Sequence, residues 1–404
     1  MTSDTRWADR RVRFLNRLFA RLSRRQASVR GFVSQPEPRS IGSFARGRQM
    51  VAGNLLFAGY LIEAKDCDLW AVEPPDTAYL DEIHGFAWLD DLASAGDVQA
   101  RALAQKWLWG WIERYGAGEG HGWSPDLTGR RVIRWINHAI FLLRGQDSAA
   151  SQAFFRVLAG QTWFLSKRWR SAYPGLPRFE ALTGLVYAGL ALEGKEALAA
   201  PAISALAREC AAQIDAQGGL PTRNPEELLD VFMLLTWAAA ALAETGRPVP
   251  QAHKDAIARI APTLRTLRHS DGGLARFHGG GRGLEGRLDH ALASSEVKEM
   301  RADGLSMGFA RLSGGRTSVI IDAAPPPQGA ASLGAHASTL AFELTSGRRP
   351  LIVNCGAGES FGAEWRRAGR ATPSHSVLCL DGFSSARLGQ GWPGRRGEPL
   401  VEGP

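Results

Sequence analysis

The 404 residues are 22% charged and 45% apolar, ordinary proportions for a globular chain with room for two or three domains. No apolar run reaches about 18 residues, so a membrane-spanning helix is not expected. The net charge of +8 is uneven, because residues 1–50 hold twelve arginines, no lysine and three acids, Asp4, Asp9 and Glu37.

Residues 1–40 read as a basic, partly amphipathic arm. Val12, Leu15, Leu18, Phe19 and Leu22 fall at helical spacing, which predicts a basic amphipathic helix over Phe14–Arg25. Such a helix suits peripheral contact with an anionic membrane or attraction of an anionic polymer. No zinc-knuckle spacing or other recognition motif accompanies the charge, so nucleic acid is not the expected partner. A hydrophobic signal core is missing from the N-terminus, which argues against Sec export. Cys67, Cys210, Cys355 and Cys379 are scattered without a CxxC pair and fit a reducing compartment.

Residues 41–285 read as successive helices broken by Gly and Pro. Ala102–Tyr115 carries Trp107, Trp109 and Trp111. In Thr128–Leu143, Val132, Trp135, Ile136, Ala139, Ile140 and Leu143 share one face. Ser151–Arg170, Phe179–Leu192, Ala199–Ala216, Pro225–Thr245 and Gln251–His269 complete the set. Asn224-Pro225, followed by Glu226 and Glu227, is a helix start. The cadence of helix pairs predicts an antiparallel helical (α/α) toroid.

The glycine-rich stretch Asp271–Gly286 marks a boundary. Residues 300–390 then read as strands, the signature of a separate β-domain after a helical one. Met307–Leu312 and Thr317–Asp322 flank a Ser313-Gly314-Gly315 turn as a hairpin. Leu340, Phe342 and Leu344 alternate with Ala341, Glu343 and Thr345, the pattern of a half-buried strand. Ser346-Gly347 and Pro350 turn the chain into a return strand at Leu351–Val353. His336 precedes the first of these strands, Asn354 and Cys355 end the second, and His375 is expected to open a third in Ser374–Leu380. Residues 391–404 read as a flexible tail.

The stretch Gly334–Gly356 with Ser374–Leu380 resembles the C-terminal β-domain of the heparinase II/III family of polysaccharide lyases. Gly218-Gly219, Thr222–Pro225, Thr128–Leu143, Gly175–Gly194 and His269–Ala275 resemble helical-domain elements of the same family. The resemblance covers about residues 40–390 and implies a helical toroid followed by an antiparallel β-sandwich-like domain. A β-domain of this length is short for the family's sandwich, so the chain is expected to end before that domain is complete.

The resemblance also implies an activity. Family lyases cleave beside a uronic acid by β-elimination, in which donors neutralise the carboxylate and a Tyr or His moves the C5 proton. At the matching positions this chain departs from the pattern. Gly175-Leu176-Pro177-Arg178 stands for a Gly-Asn-His step, and Asn224-Pro225-Glu226-Glu227 for Ser-Pro-x-Tyr. Gly334 and Ser338 stand for the first His and the Asp of His-Ala-His-Ala-Asp, leaving His336. The candidate catalytic residues are therefore His336, Glu227 and Arg223. Arg178, Arg131, Trp135, Asn224 and Tyr173 are candidates to grip an acidic polysaccharide. The family's structural zinc site would map to His336, Asn354 and His375, with Asn in place of a carboxylate.

Two functions follow as expectations: a lyase acting on a uronate-containing glycan, or a catalytically degenerate glycan-binding or envelope protein on the same scaffold. A third, a glycoside hydrolase, requires Glu226 or Glu227 to face an acid such as Asp230 or Asp271. The resemblance implies a cell-envelope or periplasmic setting; the missing signal core points to the cytoplasm.

Overall fold

The computed structural model describes residues 3–26, 29–35, 37–65, 68–299, 304–358, 361, 363–389 and 399–402. Cys67 and most of residues 391–404 lie outside them. The helices are α1 Ser3–Ser23, α2 Phe44–Val51, α3 Thr77–Gly85, α4 Trp88–Ala95, α5 Val98–Tyr115, α6 Pro125–Asn137 and α7 Ala139–Leu143. They continue as α8 Ser148–Arg168, α9 Leu176–Ala191, α10 Ala199–Gln213, α11 Pro225–Glu244, α12 Gln251–Thr266, α13 Arg287–Ser294 and α14 Ala363–Gly369. The strands are β1 Asn54–Phe57, β2 Tyr60–Glu63, β3 Phe309–Gly314, β4 Thr317–Asp322, β5 Phe342–Ser346, β6 Arg349–Ile352, β7 Ala386–Leu388 and β8 Leu400–Glu402. A helical region is thus followed by an antiparallel sheet domain, as the sequence pattern predicts. No helix among the described residues is long and apolar enough to cross a membrane.

The chain divides into two compact units. A helical unit comprises Trp7–Glu209 and Trp237–Pro250; a mixed unit comprises Met1–Arg6, Cys210–Thr236 and Gln251–Pro404. The division falls within α10 and α11 rather than in the glycine-rich stretch where the sequence changes texture.

The helical unit is built around buried aromatics. Trp135 meets Phe86 and Trp111 edge-on and stacks on Phe154, while Trp88 meets Trp107 edge-on. Aspartates cap the helices that carry these rings: Asp76 at α3, Asp97 at α5 and Asp147 at α8 each accept a backbone N–H. α6 and α9 approach so closely that a Cβ on Gly129 would overlap the Glu180 carbonyl, and one on Gly184 would press on Gly129. The single helix expected over Thr128–Leu143 is broken at His138, whose backbone leaves helical geometry (φ −104°, ψ 17°) and whose Nε2 lies 2.8 Å from Asp90 Oδ1.

α1 is docked on the helical unit rather than standing free. Asn16 Oδ1 accepts from Arg168 Nε (2.8 Å) and Ser171 Oγ (3.1 Å), and Phe19 stacks on Trp163. Ala20 and Ser23 are buried on the same side.

In the mixed unit, β3-β4-β5-β6 form an antiparallel sheet in chain order, with Ser318 opposite Thr345 and Ile320 opposite Glu343. The buried side of this sheet is its polar side. Ser318, Ile320, Asp322, Glu343 and Thr345 are buried, while Val319, Ile321, Phe342 and Leu344 are only half-buried. This inverts the usual alternation, and every buried polar group has its partner supplied locally. Ser318 and Thr345 share a hydroxyl hydrogen bond at 2.8 Å, and Glu343 and Asp322 each receive cationic or imidazole neighbours. β5 begins at Phe342 rather than Leu340, because Leu340 takes a left-handed conformation (φ +68°) and is exposed. β7 pairs with β8 antiparallel.

The third strand expected to open at His375 does not form. Thr372–Ser374 make one turn of 3-10 helix containing Pro373, and His375 ends it. Proline fixes φ and supplies no N–H to a ladder.

Candidate functional site

The mixed unit brings several of the expected residues together. α11 starts at Pro225, and Asn224 caps it: its Oδ1 accepts the N–H groups of Glu226 (2.9 Å) and Glu227 (3.1 Å). The glycine-rich loop packs against this cap. Gly281 N–H donates to Glu226 Oε2 (2.8 Å), and a Cβ on Gly280 would run into Asn224 Oδ1. On its other side Gly279 N–H donates to His336 Nε2 at 2.9 Å. The Asn224–Glu227 cap and His336 thus flank one glycine turn, an arrangement that only residues without a side chain allow.

Beneath this turn lies a buried polar cluster centred on Asp322. Arg223 Nη2 donates to Asp322 Oδ1 at 2.5 Å, and His278 Nε2 lies 3.1 Å from Oδ2. Ser338 Oγ donates to the same oxygen at 3.2 Å. Burial alone would favour the protonated acid, yet His278 and Arg223 hold the Asp322 carboxyl below its usual range. His336 N–H donates to His278 Nδ1 at 3.2 Å, so the His278 proton sits on Nε2 and faces the carboxylate. Burial pushes the His278 basicity down. His336 stacks on His375, with ring centroids 4.6 Å apart. Burial, then His375, His278 and Arg370, push His336 well below the ordinary imidazole range. Burial, then His278, lowers His375 to about 4. All three imidazoles are neutral at physiological pH.

A second buried carboxylate, Glu343, accepts from His269 Nε2 (2.7 Å) and from Asn354 N–H (2.9 Å), with Arg276 Nη1 3.6 Å away. The sequence reading did not single out His278, Asp322, Glu343 or His269 as site residues.

Arg223 is not available to a substrate. Its five N–H groups go to Met307 O, Ala324 O, Pro325 O, Gly308 O and Asp322 Oδ1, and its guanidinium lies over Phe309 at 4.7 Å. A guanidinium has five donors, and here all are spent inside the unit. Glu227 is half-buried on the first turn of α11. The carboxylate pairing needed for a glycoside hydrolase has competitors: Asp230 pairs with Arg287 at 2.6 Å and Asp271 with Arg282 at 3.1 Å.

The remaining expected residues belong to the helical unit. Arg131 is fully buried; it donates to Gln161 Oε1, His84 O and Gly122 O and stacks over Trp111 at 4.1 Å. Trp135 is also fully buried. Neither can grip a polymer, because no part of either side chain reaches solvent. Arg178 binds the Ala172 carbonyl through Nε and Nη2 and faces Glu209 at 3.4 Å. Tyr173 is exposed and donates its hydroxyl to Asp9 at 3.2 Å. Next to Arg131 and Trp135 in the sequence, Arg134 and His138 form an ion-pair cluster on Asp90, where burial is outweighed by Arg134 and His138 and the carboxyl falls to about 2.

As a zinc site, His336, Asn354 and His375 do not fit. His336 Nε2 already accepts the Gly279 N–H, and Asn354 Oδ1 accepts the Ser376 N–H at 3.0 Å. Among the described residues no three His, Cys, Asp or Glu side chains are grouped to hold a metal ion.

Comparison with known proteins agrees with this architecture. Residues 296–402 match the Heparinase II/III-like, C-terminal family. FtsZ-localized protein C of Caulobacter vibrioides is 32% identical over 372 residues, which cover 89% of this chain and 64% of that protein. The chain therefore spans less than two thirds of that relative's length. Among solved structures, heparinase III superposes with a TM-score of 0.67 at 13% identity, over 93% of this chain and 69% of its own. A mutant of the heparan sulfate lyase HepC from Pedobacter heparinus gives 0.51 at 17% identity, over 95% and 68%. At such identities the structural likeness carries the fold, and the chemistry must be argued from the residues. Residues 296–402 thus match a Heparinase II/III-like, C-terminal domain, and the chain shares the fold of heparinase III.

Proposed function

We propose that this chain keeps the lyase scaffold as a non-catalytic, envelope-associated protein that docks on an anionic membrane surface through α1. The observation that carries this reading is the outward face of α1. Its inner face is committed to the helical unit through Asn16, Phe19, Ala20 and Ser23. The outer face presents Trp7, Phe14 and Leu18, which are 65%, 64% and 41% exposed. These recur at i, i+7 and i+11, one stripe of a helix, bordered by Arg10, Arg11, Arg17 and Arg21. Aromatic and leucine side chains flanked by arginine are the composition of an interfacial helix. Each arginine near an anionic bilayer adds about 1 kcal/mol of attraction. Of the stripe expected from Val12, Leu15, Leu18, Phe19 and Leu22, Leu18 is exposed beside Trp7 and Phe14, while the other four are half-buried.

The test is co-sedimentation with phosphatidylglycerol vesicles, phosphatidylcholine vesicles and a soluble uronate polymer side by side. Wild type should pellet with the anionic vesicles. Trp7→Glu with Phe14→Glu, which removes two exposed side chains worth about 1.5–3 kcal/mol each when buried, should cut partitioning by at least about tenfold. Wild type remaining in solution with anionic lipid, or binding the polymer and not the vesicles, would refute membrane docking. Similarity to FtsZ-localized protein C of Caulobacter vibrioides supports a cell-division setting and makes FtsZ the first protein partner to test.

A lyase acting on an acidic glycan is the second reading. What favours it is the heparinase III fold, with His336 and the Asn224–Glu227 cap on either side of one glycine turn. Against it stand the five internal bonds of Arg223, the buried His336, and Glu227 at the position of the family's tyrosine.

A further inference from the structure

We propose that the His336–Asn354–His375 cluster is a metal-free site that holds one internal water where the family resemblance implies zinc. The argument starts from the His336 tautomer. Gly279 N–H points at Nε2 at 2.9 Å, so Nε2 carries the lone pair and the single proton of the neutral ring sits on Nδ1. One nitrogen has its lone pair occupied and the other has none, which leaves His336 nothing to offer a cation. Asn354 is uncharged, and its oxygen is engaged by Ser376 N–H at 3.0 Å, so only its buried amide N–H donors remain unengaged. Cys355 is exposed whereas Asn354 is buried, so the thiol does not substitute. Only His375 retains a free imidazole lone pair. Zinc needs several imidazole, thiolate or carboxylate donors, and one does not hold it.

Three buried polar atoms of these residues have no protein partner: His336 Nδ1, Asn354 Nδ2 and one ring nitrogen of His375, whose other nitrogen meets the Gly369 carbonyl. Internal waters typically satisfy about three such atoms each. Here the set is complementary to water and hostile to a cation. His336 Nδ1–H and Asn354 Nδ2–H supply two donors for the oxygen lone pairs, and the His375 lone pair accepts one water hydrogen. Asn354 in place of a carboxylate therefore reverses the polarity of the site, and the Gly279 N–H locks the reversal in by fixing the His336 tautomer.

Three measurements on the full chain test this. Metal analysis after incubation with zinc and desalting should find far less than one zinc per chain, with no change in melting temperature on adding zinc or EDTA. Diffraction at the zinc edge should show a water peak in the cluster without anomalous signal. Nitrogen-15 NMR of labelled histidine should report His336 protonated on Nδ1. One zinc per chain, an anomalous peak, a dry cluster or an Nε2–H tautomer would each overturn the proposal. Asn354→Asp, if it folds, should still fail to take up stoichiometric zinc, because His336 has no lone pair to give. Uptake of one zinc by that variant would overturn the tautomer argument, and should it not fold, the wild-type measurements decide.

Discussion

Replacing Arg223 with methionine is expected to destabilise the mixed unit by about 3–5 kcal/mol, the cost of leaving a buried carboxylate without its cation. Asp322 is buried, and once Arg223 is removed only neutral His278 and Ser338 remain against it. The loss goes beyond one ion pair. Four backbone carbonyls, of Met307, Gly308, Ala324 and Pro325, also lose a donor, Gly308 keeping the Ala323 N–H. Arg223 itself sits at φ +51°, a left-handed conformation that a side chain adopts only where its surroundings demand it. Lysine should not rescue, since an ammonium has three donors and cannot reproduce the planar fork. Removing the charge on both sides, with Arg223→Met and Asp322→Leu together, should recover part of the loss. Urea denaturation followed by circular dichroism, with limited proteolysis to locate the opened segment, checks this. A variant with wild-type stability would mean that Arg223 is not the keystone assigned to it.

The second large effect concerns Trp135. Its change to alanine is expected to cost about 3–5 kcal/mol, the range for deleting a fully buried aromatic ring. Trp135 is inaccessible and touches Phe86, Trp111 and Phe154, so truncation opens a cavity that several other large rings must relax into. The expected signature is a lowered melting temperature without any specific loss of glycan or vesicle binding at temperatures where the variant is folded. A stable variant with weakened glycan binding would instead return Trp135 to the polysaccharide-gripping role that the resemblance implies.

The two sets of residues show what the sequence makes legible and what it does not. Helix starts are written locally: Asn224-Pro225 is both the predicted and the observed beginning of α11, and Ala199 and Gln251 open α10 and α12 as read. The hairpins are found within about two residues, the usual uncertainty of an element boundary. What alternation could not give is which side of the sheet is inside. Leu340, Phe342 and Leu344 looked like the packing face, yet Glu343 and Thr345 are the buried ones. The decision rests on long-range partners: His269 for Glu343, and Arg223 and His278 for Asp322. Those residues are separated from the strands by up to about 100 positions, and period-2 patterning carries no record of them.

The same limit explains the site. Arg131 beside Trp135 and His138 resembles a sugar-gripping patch in one dimension. In three, α6 turns Arg131 inward onto Trp111 and sends His138 to Asp90. The family resemblance makes Asn224 and His336 candidates for a site, and in the structure both lie against Gly279. The turn between them was read only as a boundary, because glycine content signals irregular backbone without saying what that backbone touches. The spacing in α1 groups Leu18 with Val12, Leu15, Phe19 and Leu22, yet Leu18 is exposed with Trp7 and Phe14, because periodicity does not say which edge of an apolar stripe the protein covers.

We propose that the lyase scaffold serves here without lyase chemistry. This is tested most directly by incubating the purified full chain with a panel of uronate polymers, following ultraviolet absorbance of unsaturated products and confirming by mass spectrometry. The expected result is no product above the rate with heat-denatured protein, on any polymer. Unsaturated uronate formed at a rate abolished by His336→Ala, in a variant shown to be folded, would contradict the account and restore the enzyme.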